Sequence, residues 1–228
     1  MGRAAERRQE LQDALVRAAE KTIRRKGLTA LKARDLAGEV GCALGAIYNV
    51  FPDLDALILV VNSRTLAAFQ RYIGRLDPDE GADEQGRTHP AIARLVRLSK
   101  AYVDFAVANQ PRWRALFEHR MGGVGKIPSW FIDAQKPLFA LVEGPLSELR
   151  PELDPQQQTL LARNVFAAIH GVVDLGLNRK LAEMPAGVLR NQVGQIAGAI
   201  GAGLMSNAPA AAKPISGPAR SSARSAAR

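Results

Sequence analysis

The residues best suited to chemistry in this sequence are arginines and lysines near its start. Positions 1–34 hold ten basic and four acidic residues, and the whole chain has a formal net charge of +9. Guanidinium and ammonium groups attract phosphates, so this balance favours a polyanionic partner, either nucleic acid or a membrane surface. The alternative is a charged helix face that only meets water, and composition alone leaves both interpretations open.

Residues for catalysis or metal binding are few. The chain has three histidines and a single cysteine, Cys42. One cysteine excludes an internal disulfide framework and a multi-cysteine metal site. No nucleophile elbow, zinc-ligand spacing or dinucleotide fingerprint is present. The run Gly123–Lys126 departs from a phosphate-binding loop because Ile127 stands where Ser or Thr is required. The sequence therefore predicts no catalytic residues, no metal and no cofactor, and a protein that is not an enzyme.

Two short helical patterns around one glycine would position the basic residues. Apolar residues recur at i, i+3, i+4 and i+7 in both patterns, which are Ala33, Leu36, Ala37 and Val40, then Leu44, Ile47, Tyr48 and Phe51. This spacing predicts two amphipathic helices, with Gly41 in the turn and Pro52 ending the second. An apolar stripe before them predicts a first helix from about Glu6 to Lys26 that ends at Gly27. Together these elements predict a helix-turn-helix, which lays its second helix in the major groove of DNA.

The residues around that turn also resemble a known family. The run Gly41-Cys42-Ala43-Leu44-Gly45-Ala46-Ile47-Tyr48-Asn49-Val50-Phe51-Pro52 resembles the DNA-binding segment of the tetracycline-repressor (TetR) family of bacterial transcription regulators. The resemblance implies a recognition helix over about Ala43–Val50, with phosphate contacts from a second helix that Thr29 or a nearby residue opens. An N-terminal arginine arm is suited to a minor groove. The resulting DNA-binding residues are Arg3, Arg7, Thr29, Lys32, Arg34, Ala43, Leu44, Ala46, Tyr48 and Asn49.

The recognition helix departs from the family in being unusually apolar. Ala43 and Leu44 stand where members often carry polar residues, and Asp53 and Asp55 follow the helix. Asp53 suits the N-cap of a following helix. Asn49 is the one evident side chain for hydrogen bonding to a base edge, and the alanines suit thymine methyl groups. Specificity is therefore expected to lean on the N-terminal arginines and on DNA shape.

The chain is expected to be all-α, with about nine helices. Residues 1–52 would form the DNA-binding domain, residues 53–206 a helical ligand-binding and dimerisation domain with a polar loop over 77–90, and residues 207–228 a disordered basic tail. Aromatic residues concentrate in the second domain, and a helical bundle that encloses a ligand would be lined by them. The candidate ligand-binding residues are Trp113, Phe117, Trp130, Phe131, Phe139, Phe166, His170 and Asp174. Aromatics at helical spacing also form ordinary cores, so pocket and core both stay open.

Two further patterns concern this second domain. The run Phe166–Gly171 resembles the Trp-x-x-x-His-Gly pattern of one TetR C-terminal subfamily, with Phe166 in place of the tryptophan. Gly194, Gly198 and Gly201 put a strip of small residues on the last helix, which favours close helix packing. The last two helices are therefore candidates for a homodimer interface built as a four-helix bundle. An ordinary contact within one chain is the alternative.

The resemblance implies a homodimeric transcription regulator, a repressor that a small apolar or aromatic effector releases from DNA. Its partner would be a pseudo-palindromic double-stranded operator, with the two recognition helices about 34–36 Å apart. The other function class that fits is a basic helical adaptor that binds nucleic acid non-specifically, without an effector. No secretory signal and no apolar run of about 18–20 residues is evident, so the expectation is a cytoplasmic protein with no membrane partner.

Overall fold

The computed structural model describes residues 2–76, 88–121, 127–178, 180 and 183–207. Its elements are α1 (Arg3–Lys26), a 3₁₀ turn (Leu28–Ala30), α2 (Ala33–Val40), α3 (Leu44–Val50), α4 (Leu54–Ile73), α5 (Pro90–Ala108), α6 (Gln110–Glu118), α7 (Ser129–Asp133), α8 (Lys136–Leu149), α9 (Pro155–Leu177) and α10 (Ala186–Ser206). These ranges contain no β-strand, which confirms the all-α class, and they hold ten α-helices where about nine were expected. Residues 77–87 of the predicted loop, the run Gly123–Lys126 and positions 208–228 of the predicted tail lie outside the described residues.

The helix-turn-helix forms where the sequence predicts it. Helix α2 ends at Gly41, whose φ of +75° is left-handed, and the N–H of Cys42 donates to the carbonyl of Ala37 at 3.0 Å. Glycine adopts this conformation without steric cost, which explains the tight turn before α3. Of the residues predicted to open α2, which were Thr29 or a nearby residue, it is a neighbour of Thr29 that does so. Thr29 lies in the 3₁₀ turn, and Lys32, with extended backbone, is the N-cap of α2.

A first core unites the helix-turn-helix with its neighbours. Leu15, Leu36, Ile47 and Leu57, one from each of α1 to α4, are 1% exposed or less. Ala115 of α6 belongs to the same cluster. The burial of these apolar side chains is the main force that holds α3 at a fixed angle to α1. Because α6 enters this core, residues beyond the predicted domain boundary at 52 help to support the helix-turn-helix.

The remaining helices build two further cores. One contains Tyr102, Trp113, Val173 and Val193 from α5, α6, α9 and α10, and the other joins α5, α8 and α9 around Leu146. Helix α5 takes part in both, so it is the central element of this half of the chain. Its neighbours therefore surround it on several sides, and the space between them determines where a cavity can form.

The glycine strip of α10 lies against α5 in the same chain. A Cβ atom added at Gly201 would lie 3.0 Å from a side-chain carbon of Ile92, and one added at Gly194 would lie 2.6 Å from Lys100 Cε. The glycines therefore allow α5 and α10 to approach closely. This is the intrachain alternative that the sequence left open, so the strip does not face a second copy of the chain.

Helix α9 presents much of its apolar surface to the outside. It is the one helix in the described ranges that is long and apolar enough by itself to cross a bilayer, judged by length and composition. The sequence expectation did not foresee this. A helix of a water-soluble assembly passes the same test, and α9 is packed along one side against α8 and α10. Its outer side carries Leu160, Ala167, Ala168 and Leu175, all exposed.

Candidate nucleic-acid interface and effector cavity

Helix α3 turns one face outward and the other into the first core. Leu44 is 42% exposed and Tyr48 is 50% exposed, whereas Ile47 is fully buried. Asn49 is also exposed, and Ala46 is half-buried. Ala43 is the exposed N-cap residue, so α3 begins one residue after the predicted start. The outward face is thus available to a DNA groove, and it is as apolar as the sequence indicated.

The predicted phosphate-binding residues all lie at the surface. Arg3 and Arg7 are exposed on α1, and Thr29, Lys32 and Arg34 are exposed around the start of α2. The helices α1 and α2 pack with α3 in the first core, so we expect one DNA duplex to be the common partner of these residues. Their contact with phosphates stays a prediction.

Two nearby side chains have structural roles. Lys21 of α1 bonds Glu39 of α2 at 2.6 Å, which links two helices of the module. Asp53 caps α4, because its Oδ1 accepts the N–H of Ala56 at 2.7 Å, as predicted. A capping carboxylate at this point sits two residues after Phe51, so it adds negative charge near the end of α3.

A cavity of about 330 Å³ lies between α4, α5, α6, α7, α8 and α9. Its aromatic lining consists of Phe69, Tyr102, Phe105, Trp113, Phe117, Phe131, Phe139 and Phe166. The other described lining residues are leucine, isoleucine and valine, together with Ser99 and Gln135. An apolar cavity with a few polar groups is the usual form of a small-molecule site. The aromatic cluster therefore lines a space and does more than fill a core.

Five of the eight predicted ligand-binding residues line this cavity, and three do not. Trp130 is 44% exposed and packs edge-on against Phe131, whose own ring does reach the wall. His170 stacks against other aromatic rings, with its ring centroid 4.0 Å from that of Phe117. Asp174 accepts a hydrogen bond from Asn178 Nδ2 at 2.8 Å. These three residues are thus neighbours of the cavity wall.

Tyr102 is a lining residue that the sequence did not single out. Its hydroxyl oxygen accepts a hydrogen bond from Trp113 Nε1 at 2.9 Å and lies 2.8 Å from His170 Nδ1. Burial raises the pKa of Tyr102, so the phenol stays neutral. Burial also lowers the pKa of His170, although the carboxylate of Asp174 opposes that shift. Trp113, Tyr102 and His170 therefore form an uncharged series of hydrogen-bonded side chains beside an otherwise apolar cavity.

Ser99 and Gln135 are the other polar lining residues that sequence reasoning missed. Ser99 donates its hydroxyl hydrogen to the carbonyl of Leu95 at 2.8 Å, and Gln135 Nε2 donates to the carbonyl of Phe131 at 3.2 Å. In the sequence, Leu95, Ser99 and Tyr102 fall at i, i+4 and i+7, so they share one face of a helix. Nothing local distinguished a position beside a cavity from one in a filled core.

Helix α6 joins the cavity to the helix-turn-helix. Trp113 lines the cavity, whereas Arg112 Nη2 lies 3.2 Å from a carboxylate oxygen of Glu20 in α1. The carbonyl of Ala115 accepts a hydrogen bond at 3.2 Å from Asn62 of α4, which is 1% exposed. One short helix thus contacts the cavity on one side and two helices of the first core on the other.

Known proteins resemble this chain in sequence over one part of it and in fold over most of its length. A family model described as "Tetracyclin repressor-like, C-terminal domain" matches residues 95–192. No curated protein sequence matches the chain. The match covers 98 of the 228 residues, and these include most of the residues that line the cavity.

Several solved structures share the fold at low sequence identity. A protein of unknown function from Rhodococcus sp. RHA1 is 23% identical, with a TM-score of 0.61 over 83% of this chain and 94% of that one. A TetR-family transcriptional regulator from Bordetella parapertussis 12822 is 15% identical, with a TM-score of 0.54 over 82% and 93%. RolR in complex with resorcinol is 14% identical, with a TM-score of 0.59 over 90% and 98%. At these identities the likeness shows the fold.

Proposed function

We propose that this chain, whose residues 95–192 match the tetracycline-repressor-like C-terminal family model, is a repressor of that family which a small molecule releases from its DNA operator. The observation that carries this proposal is the double contact of α6. Trp113 and Phe117 line the cavity, while Arg112 and Ala115 contact α1 and α4. A ligand that shifts α6 would shift the base of the helix-turn-helix with it. A coupling free energy of about 1–3 kcal/mol changes DNA affinity roughly five- to 150-fold.

In this proposal, α3 enters the major groove and its basic surroundings hold the backbone. Asn49 would hydrogen-bond an adenine edge, and Leu44 with the neighbouring alanines would contact thymine methyl groups. Arg3 and Arg7 would follow a minor groove, and Lys32 with Arg34 would bind phosphates. The few hydrogen-bond donors on α3 support a readout that depends strongly on DNA shape.

The proposed assembly is a homodimer that uses the outer side of α9 together with α10. The exposed small and apolar residues of α9 run along one side of the helix and include Leu160, Ala168 and Leu175. Gly171 lies between them, and a Cβ atom added there meets nothing within 4 Å in the same chain. A second copy would cover this apolar surface. Two recognition helices would then reach successive major grooves about 34–36 Å apart.

The dimer is tested by adding charge to this surface. Ala168→Arg should shift the sedimentation coefficient toward that of a monomer, because an unpaired guanidinium would be buried between two copies. Ser147→Arg, on an exposed position of α8, is the matched control and should leave the dimer intact. A variant at 168 that sediments like the parent protein would refute this interface.

The regulatory proposal is tested by binding to DNA that flanks the protein's own gene. Fluorescence anisotropy would compare a pseudo-palindromic duplex with a scrambled duplex of equal length and composition. Preference for the palindrome supports the repressor, and Asn49→Ala should reduce that preference by about 1–3 kcal/mol per half-site. Equal binding of both duplexes would favour the basic adaptor, whose attraction to DNA is electrostatic.

Coupling through α6 has its own test. Arg112→Ala should leave ligand affinity nearly unchanged but reduce ligand-induced release of DNA, because the contact with Glu20 is lost. Arg94→Ala is a suitable control, since Arg94 pairs with Glu148 between α5 and α8, away from the first core. Unchanged release in the Arg112 variant would show that the signal takes another route. The same proposal puts the protein in the cytoplasm with its operator.

A further inference from the structure

We infer that the cavity takes an uncharged, largely hydrocarbon molecule that carries one hydroxyl or N–H donor, and that it excludes carboxylates. This inference rests on the proposed effector site and specifies the ligand that the site accepts. It follows from two properties of the wall, namely the absence of charged side chains among its described residues and the direction in which its two hydroxyl hydrogens point.

The described lining residues include no Asp, Glu, Lys, Arg or His. A carboxylate that enters such a space loses its hydration without gaining a cationic partner, which costs far more than the loss suffered by a neutral hydroxyl. The aromatic rings instead offer area to an apolar ligand. The space of about 330 Å³ is large enough for a substituted benzene ring.

The two hydroxyl groups of the wall already donate their hydrogens within the protein. Ser99 donates to the carbonyl of Leu95. The Tyr102 oxygen accepts from Trp113, and His170 Nδ1 is its partner for donation, because a buried phenol hydrogen needs an acceptor. The lowered pKa of His170 keeps the imidazole neutral, so Nδ1 can accept. Each of the two hydroxyl oxygens therefore keeps a lone pair and acts toward a ligand as an acceptor.

A matched set of three compounds tests this inference. The compounds are para-propylphenol, its methyl ether and para-propylbenzoate, which share one propylbenzene skeleton and carry a neutral donor, a neutral group without a donor and an anion. Binding would be followed by the fluorescence of Trp113 in Trp130→Phe protein, since the chain has two tryptophans and Trp130 lies outside the cavity. At neutral pH the phenol should bind about three- to tenfold more tightly than the ether, as one neutral hydrogen bond predicts. It should bind more than about a hundredfold more tightly than the benzoate. No binding of the phenol, or equal binding of the ether or benzoate, would overturn the inference.

Three substitutions and one control assign the effect to the wall. Ser99→Ala should reduce the preference for phenol over ether, whereas Ser63→Ala should not, because Ser63 makes a similar bond to a carbonyl one turn earlier but does not line the cavity. Tyr102→Phe should reduce it further. Gln135→Lys would add a cation to the lining and should improve benzoate binding at least tenfold. A benzoate affinity that the lysine leaves unchanged would contradict the argument from charge.

The failure of this inference is distinguishable from failure of the repressor proposal. The fluorescence titration contains no DNA, and a separate anisotropy assay measures release of the operator. If the phenol binds as expected but never releases DNA, the ligand class stands and the repressor mechanism falls. If release occurs with the benzoate while the phenol does not bind, regulation stands and the ligand class is overturned.

Discussion

Two glycines of the helix-turn-helix should respond in opposite ways to replacement by alanine. Gly41 ends α2 with a left-handed φ of +75°, whereas Gly45 lies within α3, where glycine has no conformational advantage. A Cβ atom at either position would meet no atom within 4 Å. Steric space is therefore the same at both sites, and the comparison isolates the backbone conformation.

The magnitudes follow from that conformation. A left-handed backbone conformation costs an L residue about 1–2 kcal/mol. Alanine recovers about 0.4–1 kcal/mol because it restricts the unfolded chain. The free energy of unfolding should therefore fall by roughly 0.5–1 kcal/mol in Gly41→Ala protein. Gly45→Ala should gain about 0.5–1 kcal/mol, because glycine is unfavourable in a helix interior. For a chain of this size the melting temperature should move by about 1–4 °C, downward for Gly41→Ala and upward for Gly45→Ala.

Thermal unfolding followed by circular dichroism would measure both shifts, and operator binding by anisotropy would be measured on the same samples. Gly45 is exposed on the face proposed to enter DNA. Gly45→Ala should therefore weaken operator binding although it stabilises the fold, since a methyl group would stand between backbone and duplex. A more stable Gly41 variant would refute the backbone reasoning. A Gly45 variant that keeps full operator affinity would contradict the proposed docking face.

Three other predictions concern packing, DNA and pH. Gly201→Val should lower the free energy of unfolding, measured by chemical denaturation, by about 1–3 kcal/mol, because the valine side chain would collide with Ile92. Gly187→Ala should change it little, since a Cβ atom there meets no atom within 4 Å. Arg34→Ala should reduce the slope of log operator affinity against log salt concentration by about one. Tyr48→Ala should weaken operator binding without changing that slope. The pKa of His170 is lower in the folded state, so the unfolded chain takes up the proton first as pH falls below about 6.5. The free energy of unfolding should then fall on acidification, and it should fall less in His170→Gln protein than in the parent protein. An equal fall in both proteins would exclude His170 as the cause.

The helix-turn-helix could be predicted closely because its signals are local. Apolar spacing and a glycine at position 41 determine where α2 ends and which side of α3 faces inward. The start of α2 is predicted only to within a few residues, since Thr29 has the side chain of a helix N-cap but lies in a 3₁₀ turn, and Lys32 is the N-cap. The sequence leaves the choice between these two conformations to tertiary packing.

The cavity was harder to predict because its walls come from helices that are distant in the chain. Trp130 and Phe131 are adjacent, yet consecutive side chains on a helix point about 100° apart, so only Phe131 reaches the wall. Tyr102 looked like an ordinary core residue. The glycines of α10 indicated a close helix contact correctly, but their partner, α5, could not be read from spacing alone.

The single cysteine offers a way to observe the recognition helices directly. Cys42 is half-buried in the turn immediately before α3, and no other cysteine is present in the chain. A spin label on this thiol would give one label per subunit without any substitution. In a homodimer, the distance between the two labels follows the separation of the two recognition helices. Pulsed electron paramagnetic resonance would thus report how far the two recognition helices move apart when a ligand enters the cavity.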